Sequence, residues 1–219
     1  AAWLKALGEG FKRAGTSIEN VDTGKKLGVV FERAAQSVTD ERATPSSRFS
    51  SMELLTVAPF ARAREPLARA LSMRSDERVQ LAAVSALASF SDDQVAQILL
   101  KGWSAYSPKV REATLSALIA REERTRSLLE ALQSGTVAPT DLSASQVQAL
   151  LQQKSPEGVQ KARTLLASVI PPSRQEVAAK FQGAMTQQGD ALRGKTIYQG
   201  RCSVCHRAGG EGMELGPDL

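Results

Sequence analysis

Three segments of this chain repeat one pattern. Arg48-x3-Met52-x-Leu54-Leu55, Arg78-x3-Ala82-x-Val84-x-Ala86-Leu87 and Arg111-x-Ala113-x-Leu115-x-Ala117-Leu118 recur at spacings of 30 and 33 residues. Within each copy the apolar residues follow the period of a helix, not the alternation of a strand. A unit of about this length holds one helix pair, which can bury its apolar stripes only against neighbouring pairs. The pattern therefore predicts an all-α chain built as an α-solenoid, with an irregular helical bundle as the bland alternative. A degenerate fourth copy is expected at Val159-Gln160-x-Ala162-x2-Leu165-Leu166, and the stretch from 122 to 155 reads as irregular.

Local signals agree. Aromatic residues make up only 5% of the chain, which favours helices packed through small side chains over a sheet. Val79, Ala83, Ala86, Leu87 and Phe90 share one helical face, and Val110, Thr114, Ala117, Leu118 and Arg121 form another stripe. Helix starts are expected at Ser91-x-x-Gln94, at Ser107-Pro108, at Ser143-x-x-Gln146 and at Ser173-x-x-Glu176. Trp3, Leu4, Leu7 and Phe11 suit one helix near the beginning, and Leu27, Val30, Phe31 and Ala34 a second, with a loop from Gly15 to Gly24. The repeats resemble HEAT units, though their period is shorter. The organisation expected is a HEAT-like helical domain over 1–170, a connecting helix over 171–188 that opens with Pro171-Pro172, and a different module over 189–219.

Several function classes find no support. The net charge is +5, but the cations are spread along the chain and interleaved with Glu and Asp. That reads as solvated helix faces, without the basic block and aromatics of a nucleic-acid reader. No apolar run is long enough to span a bilayer. The opening Ala1-Ala2-Trp3 has neither Met nor the charged and apolar regions of a signal peptide, so the chain reads as a piece of something longer. The pairs Asp92-Asp93 and Glu122-Glu123 suit helix starts, where the dipole favours negative charge. No catalytic triad and no phosphate-binding glycine loop is present.

The chemistry is concentrated after Gly189. Both cysteines and the one histidine fall in Cys202-Ser203-Val204-Cys205-His206. Cys-x-x-Cys-His attaches c-type haem: each thiol adds across a vinyl group and the adjacent imidazole, His206, ligates the iron. A redox dithiol or half of a zinc site is the alternative for a bare CxxC. Zinc would need a further ligand, and a thioredoxin-like dithiol a βαβ context that is not visible. Asp190 is placed to cap a helix over 191–198.

The flanks resemble class I cytochromes c. Gly194, Tyr198 and Cys202 are spaced like the glycine, aromatic and first cysteine of that family's first helix. Gly216-Pro217-Asp218-Leu219 resembles the Gly-Pro-x-Leu that follows its haem histidine. The resemblance implies that Gly194 permits close crossing by a later helix and that Tyr198 packs beside it. It also implies that the Pro217 carbonyl accepts a hydrogen bond from the second ring nitrogen of His206. Met213 is read as a loop residue, because seven positions from His206 it would struggle to reach the opposite face of a haem.

The combination of helical repeats with Gly-Asp-x-x-Arg-Gly-x-x-Ile-Tyr-x-x-x-Cys-x-x-Cys-His is similar to the large secreted haem-binding proteins of planctomycetes and verrucomicrobia, often labelled membrane-bound dehydrogenase-like. The opening Ala-Trp-Leu-x-x-Leu-x-x-Gly and the segment Gly102-Trp103 through Ser107-Pro108-Lys109-Val110-Arg111 carry the likeness further. It implies an extracytoplasmic electron-transfer module. The donor would be a dehydrogenase domain or partner, quinoprotein-like in that family, and a separate redox acceptor would take the electrons. The competing expectation is a helical scaffold with a silent, incomplete haem segment. Trp103 and Tyr106 read as plugs between repeat helices in preference to a docking site.

Overall fold

The computed structural model describes residues 2–22, 24, 26–72, 76–170 and 174–217. The starts expected at Ser173 and Pro171-Pro172, and the Asp218-Leu219 end of the Gly-Pro-x-Leu motif, lie outside them. Two compact units are formed, Ala1–Ile170 and Pro171–Leu219.

The first unit is helical. Its helices are α1 (Ala2–Arg13), α2 (Leu27–Thr39), α3 (Pro45–Leu55), α4 (Phe60–Ser72), α5 (Glu77–Ala88), α6 (Gln94–Lys101), α7 (Pro108–Ile119), α8 (Glu122–Gln133), α9 (Ala144–Leu151) and α10 (Pro156–Leu165). Neighbours alternate. Helices α1, α3, α5, α7 and α9 pack one on the next, as do α2, α4, α6, α8 and α10. Cross-links between the two rows join α2 to α3, α4 to α5, α7 to α8 and α9 to α10. The core between the rows is aliphatic and includes Phe31, Leu55, Leu67, Leu87, Leu99, Leu118 and Leu128. The expected stripe of Val79, Ala83, Ala86, Leu87 and Phe90 is buried, as are Val110, Thr114, Ala117 and Leu118.

The repeat period is visible in polar links as well. Four side-chain bonds each join residues 30 apart. Arg64 donates to Gln94 (3.0 Å), Ser107 to Glu77 (2.6 Å), Arg121 to Ser91 (2.9 Å) and Gln146 to Ser116 (3.1 Å). Among the described residues the most buried charged side chain is Arg124, whose guanidinium donates to the carbonyls of Ala88, Phe90 and Ala117. It thereby ties α8 to the end of α5 and to α7.

Caps follow sequence at some ends and not at others. Ser107 accepts from the Val110 amide with Pro108 in the first turn, and Ser143 and Gln146 form a reciprocal capping box. The box expected at Ser91-x-x-Gln94 does not form. The Asp92 carboxylate accepts from the Gln94 amide instead (2.9 Å), because the helix starts later and Ser91 is held by Arg121. Arg121 is not on the α7 stripe, since that helix ends at Ile119 and Arg121 precedes α8.

The fourth copy expected at 159–166 lies in α10, in the other row. The helix that continues the row of α3, α5 and α7 is α9, and the Gln146 side chain donates to Glu112 and Ser116 of α7. The stretch 122–155 is not irregular: α8 and α9 occupy most of it. Within α1, Leu4 and Phe11 pack on the core, whereas Trp3 is 74% exposed and Leu7 also faces solvent. The loop between α1 and α2 contains a 3₁₀ turn, Ile18–Val21, whose Ile18 is buried.

Trp103 and Tyr106 are both buried. A Cβ at Gly102 would stand 2.6 Å from the Tyr106 ring, and the Arg111 guanidinium lies over Trp103 (5.4 Å). Both aromatics fill the join after α6, as plugs.

The second unit holds α11 (Arg174–Phe181), a 3₁₀ turn Gln182–Thr186, α12 (Ala191–Arg201) and a small hairpin of β1 (Arg207–Ala208) and β2 (Glu211–Gly212). None of its described side chains is buried. Leu192, Ile197, Val204, Met213 and Leu215 are all at least half exposed.

Candidate functional site

The site is assembled where α12 ends. Asp190 caps that helix, its carboxylate accepting from the amides of Leu192 and Arg193 (both 3.0 Å). The chain past Arg201 keeps helix-like bonds: Cys202 N–H to Tyr198 (2.8 Å), then Cys205 N–H (3.0 Å) and His206 N–H (2.8 Å) to the Cys202 carbonyl. One tight turn therefore carries both thiols and the imidazole. The thiols are not bridged to each other, and Cys205 is the more exposed.

After His206 the backbone reverses through Gly209-Gly210, both at positive φ (56° and 87°). Positive φ at both central residues is what a tight hairpin turn of this hand requires. The hairpin then returns along the turn. Met213 N–H donates to Ser203 (2.9 Å) and Gly216 N–H to Cys205 (2.6 Å). This brings the Pro217 carbonyl to 2.8 Å from Nδ1 of His206. A carbonyl only accepts, so Nδ1 carries the proton, and in the neutral ring this tautomer leaves the lone pair on Nε2.

Glycine makes this closure possible at two points. A Cβ on Gly216 would lie 2.6 Å from Cε1 and 2.8 Å from Nδ1 of the imidazole. On Gly212, whose φ is 101°, a Cβ would lie 2.1 Å from the His206 carbonyl oxygen. Gly212 is absent from the sequence reading, although a Gly-Gly pair with a third glycine two residues on is a hairpin signal.

The other sequence-derived residues are placed as follows. Tyr198 does not act only as a packing ring: its hydroxyl lies 2.7 Å from the His206 carbonyl and 2.8 Å from that of Glu211. Gly194 has no described atom within 4 Å of an added Cβ. Met213 is exposed in the loop. Sequence reasoning also missed Glu211, whose carboxylate accepts from Lys195 (2.6 Å) and Gln199 (3.3 Å) of α12. The hydrogen bond from Lys195, with that from Gln199, holds the Glu211 carboxyl below its ordinary range. Arg207 pairs with Glu214 across the same loop.

Among the described residues no cluster of three or more His, Cys, Asp or Glu side chains is poised to hold a metal ion, and no helix is long and apolar enough to cross a membrane. No curated protein and no solved structure matches the chain. Residues 191–219, which contain the whole of this turn and hairpin, match the family model Cytochrome c, and this supports a haem-binding electron-transfer segment there.

Proposed function

We propose that residues 189–219 hold haem c and relay electrons, with the thiols of Cys202 and Cys205 as its covalent anchors and His206 as its iron ligand. The observation that carries this reading is the 2.8 Å approach of the Pro217 carbonyl to His206 Nδ1, within a segment that matches the Cytochrome c family. A metal-ligating histidine is normally held in this way, its second nitrogen donating to a fixed acceptor so that tautomer and ring orientation are set.

The residues present fit the group. Two unbridged thiols flank the turn, one imidazole nitrogen is engaged and the other is free, and Gly216 leaves the ring its space. The unit's exposed Leu192, Ile197, Val204, Met213 and Leu215 are the apolar surface expected beside a porphyrin. When bound, the haem supplies a one-electron iron couple. The chain's own part is to anchor it, to orient His206 and to keep the Nδ1 proton in place.

The alternating rows of helices in 1–170 support reading that unit as a HEAT-like α-solenoid, a scaffold for the electron carrier. Its donor is then a dehydrogenase domain or partner protein and its acceptor another redox protein, in an extracytoplasmic compartment such as the periplasm.

The test is production with and without a cytochrome c maturation system, followed by haem staining after denaturing electrophoresis. Matured wild type is expected to stain, and a Cys202→Ala/Cys205→Ala variant to lose the stain. Covalent haem retained by that variant, or matured wild type holding a disulfide or zinc in place of haem, overturns the proposal.

A further inference from the structure

We infer that Tyr198 is a positioning residue for His206, acting through its hydroxyl and not through the packing of its ring. The inference rests on the haem reading above but assigns a role that the reading does not need.

The hydroxyl has one proton and two acceptors in reach, the carbonyls of His206 (2.7 Å) and Glu211 (2.8 Å). These carbonyls stand at the two ends of the hairpin, so one group on α12 pins both its strands. Space around the hydroxyl is closed by the backbone. A Cβ on Gly212 would lie 2.5 Å from the Tyr198 oxygen and 2.1 Å from the His206 oxygen, so only glycine lets the hairpin close there. A second tie runs beside the first, from Lys195 and Gln199 to the Glu211 carboxylate. Residues 195, 198 and 199 share a face because they are three and four apart on a helix.

The chain of consequences reaches the imidazole. The His206 carbonyl leads into the hairpin, and the hairpin's return carries Met213 to Ser203 and Gly216 to Cys205. That return sets where the Pro217 oxygen meets Nδ1. Phenylalanine at 198 would keep the ring and remove the one proton that the two carbonyls share.

The test compares the full chain as wild type, Tyr198→Phe and Glu211→Gln. Glu211→Gln removes the charge paired with Lys195 while keeping the tyrosine, both carbonyls and an amide oxygen that still accepts from α12, so it reports the loss of charge alone. In the haem-free chain, Tyr198→Phe is expected to speed amide exchange at Gly216 by about fivefold to tenfold, the loss of one net hydrogen bond. It is also expected to move the His206 nitrogen-15 shifts away from the Nδ1–H tautomer. In matured protein it is expected to keep covalent haem while shifting the midpoint potential. Glu211→Gln is expected to leave tautomer and potential at their wild-type values.

A Tyr198→Phe chain with wild-type tautomer, Gly216 exchange and potential overturns the inference. So does Glu211→Gln matching it in the tautomer shift, or an unprotected Gly216 amide in the wild-type haem-free chain. Wild type that takes up no haem on maturation sinks the haem reading instead, and the haem-free measurements still judge Tyr198.

Discussion

Gly216→Ala should disturb the site more than any change to the proline beside it. The added Cβ would sit 2.6 Å from Cε1 and 2.8 Å from Nδ1 of His206. Carbon–carbon contacts settle at about 3.5 Å or more, so the ring must retreat by about 0.9 Å or the backbone must move. The backbone is not free to move, because the Gly216 amide is bonded to Cys205 at 2.6 Å. A retreat of that size takes the 2.8 Å contact between Nδ1 and the Pro217 oxygen beyond hydrogen-bond length. Overpacking of this kind costs about 1–3 kcal/mol, to which the lost bond adds about 1 kcal/mol. Pro217→Ala is the informative companion, since the acceptor is a main-chain oxygen that alanine also has. The assay is nitrogen-15 spectroscopy of His206 in the haem-free chain together with haem content after maturation. Gly216→Ala should lose the Nδ1–H signature and carry less haem than Pro217→Ala. The reverse order, or an unchanged signature in Gly216→Ala, would refute the close-approach argument.

Two further outcomes follow from the helical unit. Arg124→Met keeps an unbranched but shorter side chain, strands the buried carbonyls of Phe90 and Ala117 and the part-buried one of Ala88, and should lower stability by about 2–4 kcal/mol in denaturant unfolding. Buried charges are sometimes replaced by apolar residues at a gain, so a variant as stable as wild type would show that those carbonyls find other partners. Burial pushes the Tyr106 hydroxyl up to about 12, against about 10 in an unfolded chain. A raised acid pKa means that its contribution is complete below pH of about 10 and is lost as pH rises toward 12. The thermal midpoint of wild type should therefore fall more steeply above that point than that of Tyr106→Phe, and parallel curves would count against it.

Much of the helical unit was legible because its information lies in side chains at fixed intervals. Val79, Ala83 and Leu87 are one helical turn apart whatever surrounds them, and the 30-residue links from Ser107 to Glu77 and Gln146 to Ser116 repeat the sequence period in space. The misplaced features depend on where a helix begins. Ser91 has the side chain of a cap, but Arg121, 30 residues on, donates to its hydroxyl. The sequence pattern points to α10 in place of α9 because the loop after α8, with its own turn at Pro139–Asp141, breaks the repeat period. Such competition between distant residues has no local signature.

The site divides differently, by whether side chain or backbone does the holding. Cys202, Cys205 and His206 announce themselves because their chemistry is in the side chain. Pro217 contributes only its carbonyl and Gly216 only the absence of a Cβ, so both were reachable through resemblance and not from their own chemistry. Gly212 and the hydroxyl of Tyr198 were not reached at all, since their role is to let one strand of a hairpin close on another. A ring nitrogen held by a backbone oxygen is only as fixed as the turns that deliver that oxygen. The hairpin thus belongs to the site as much as the histidine does, and substitutions at its glycines should be read as changes at His206.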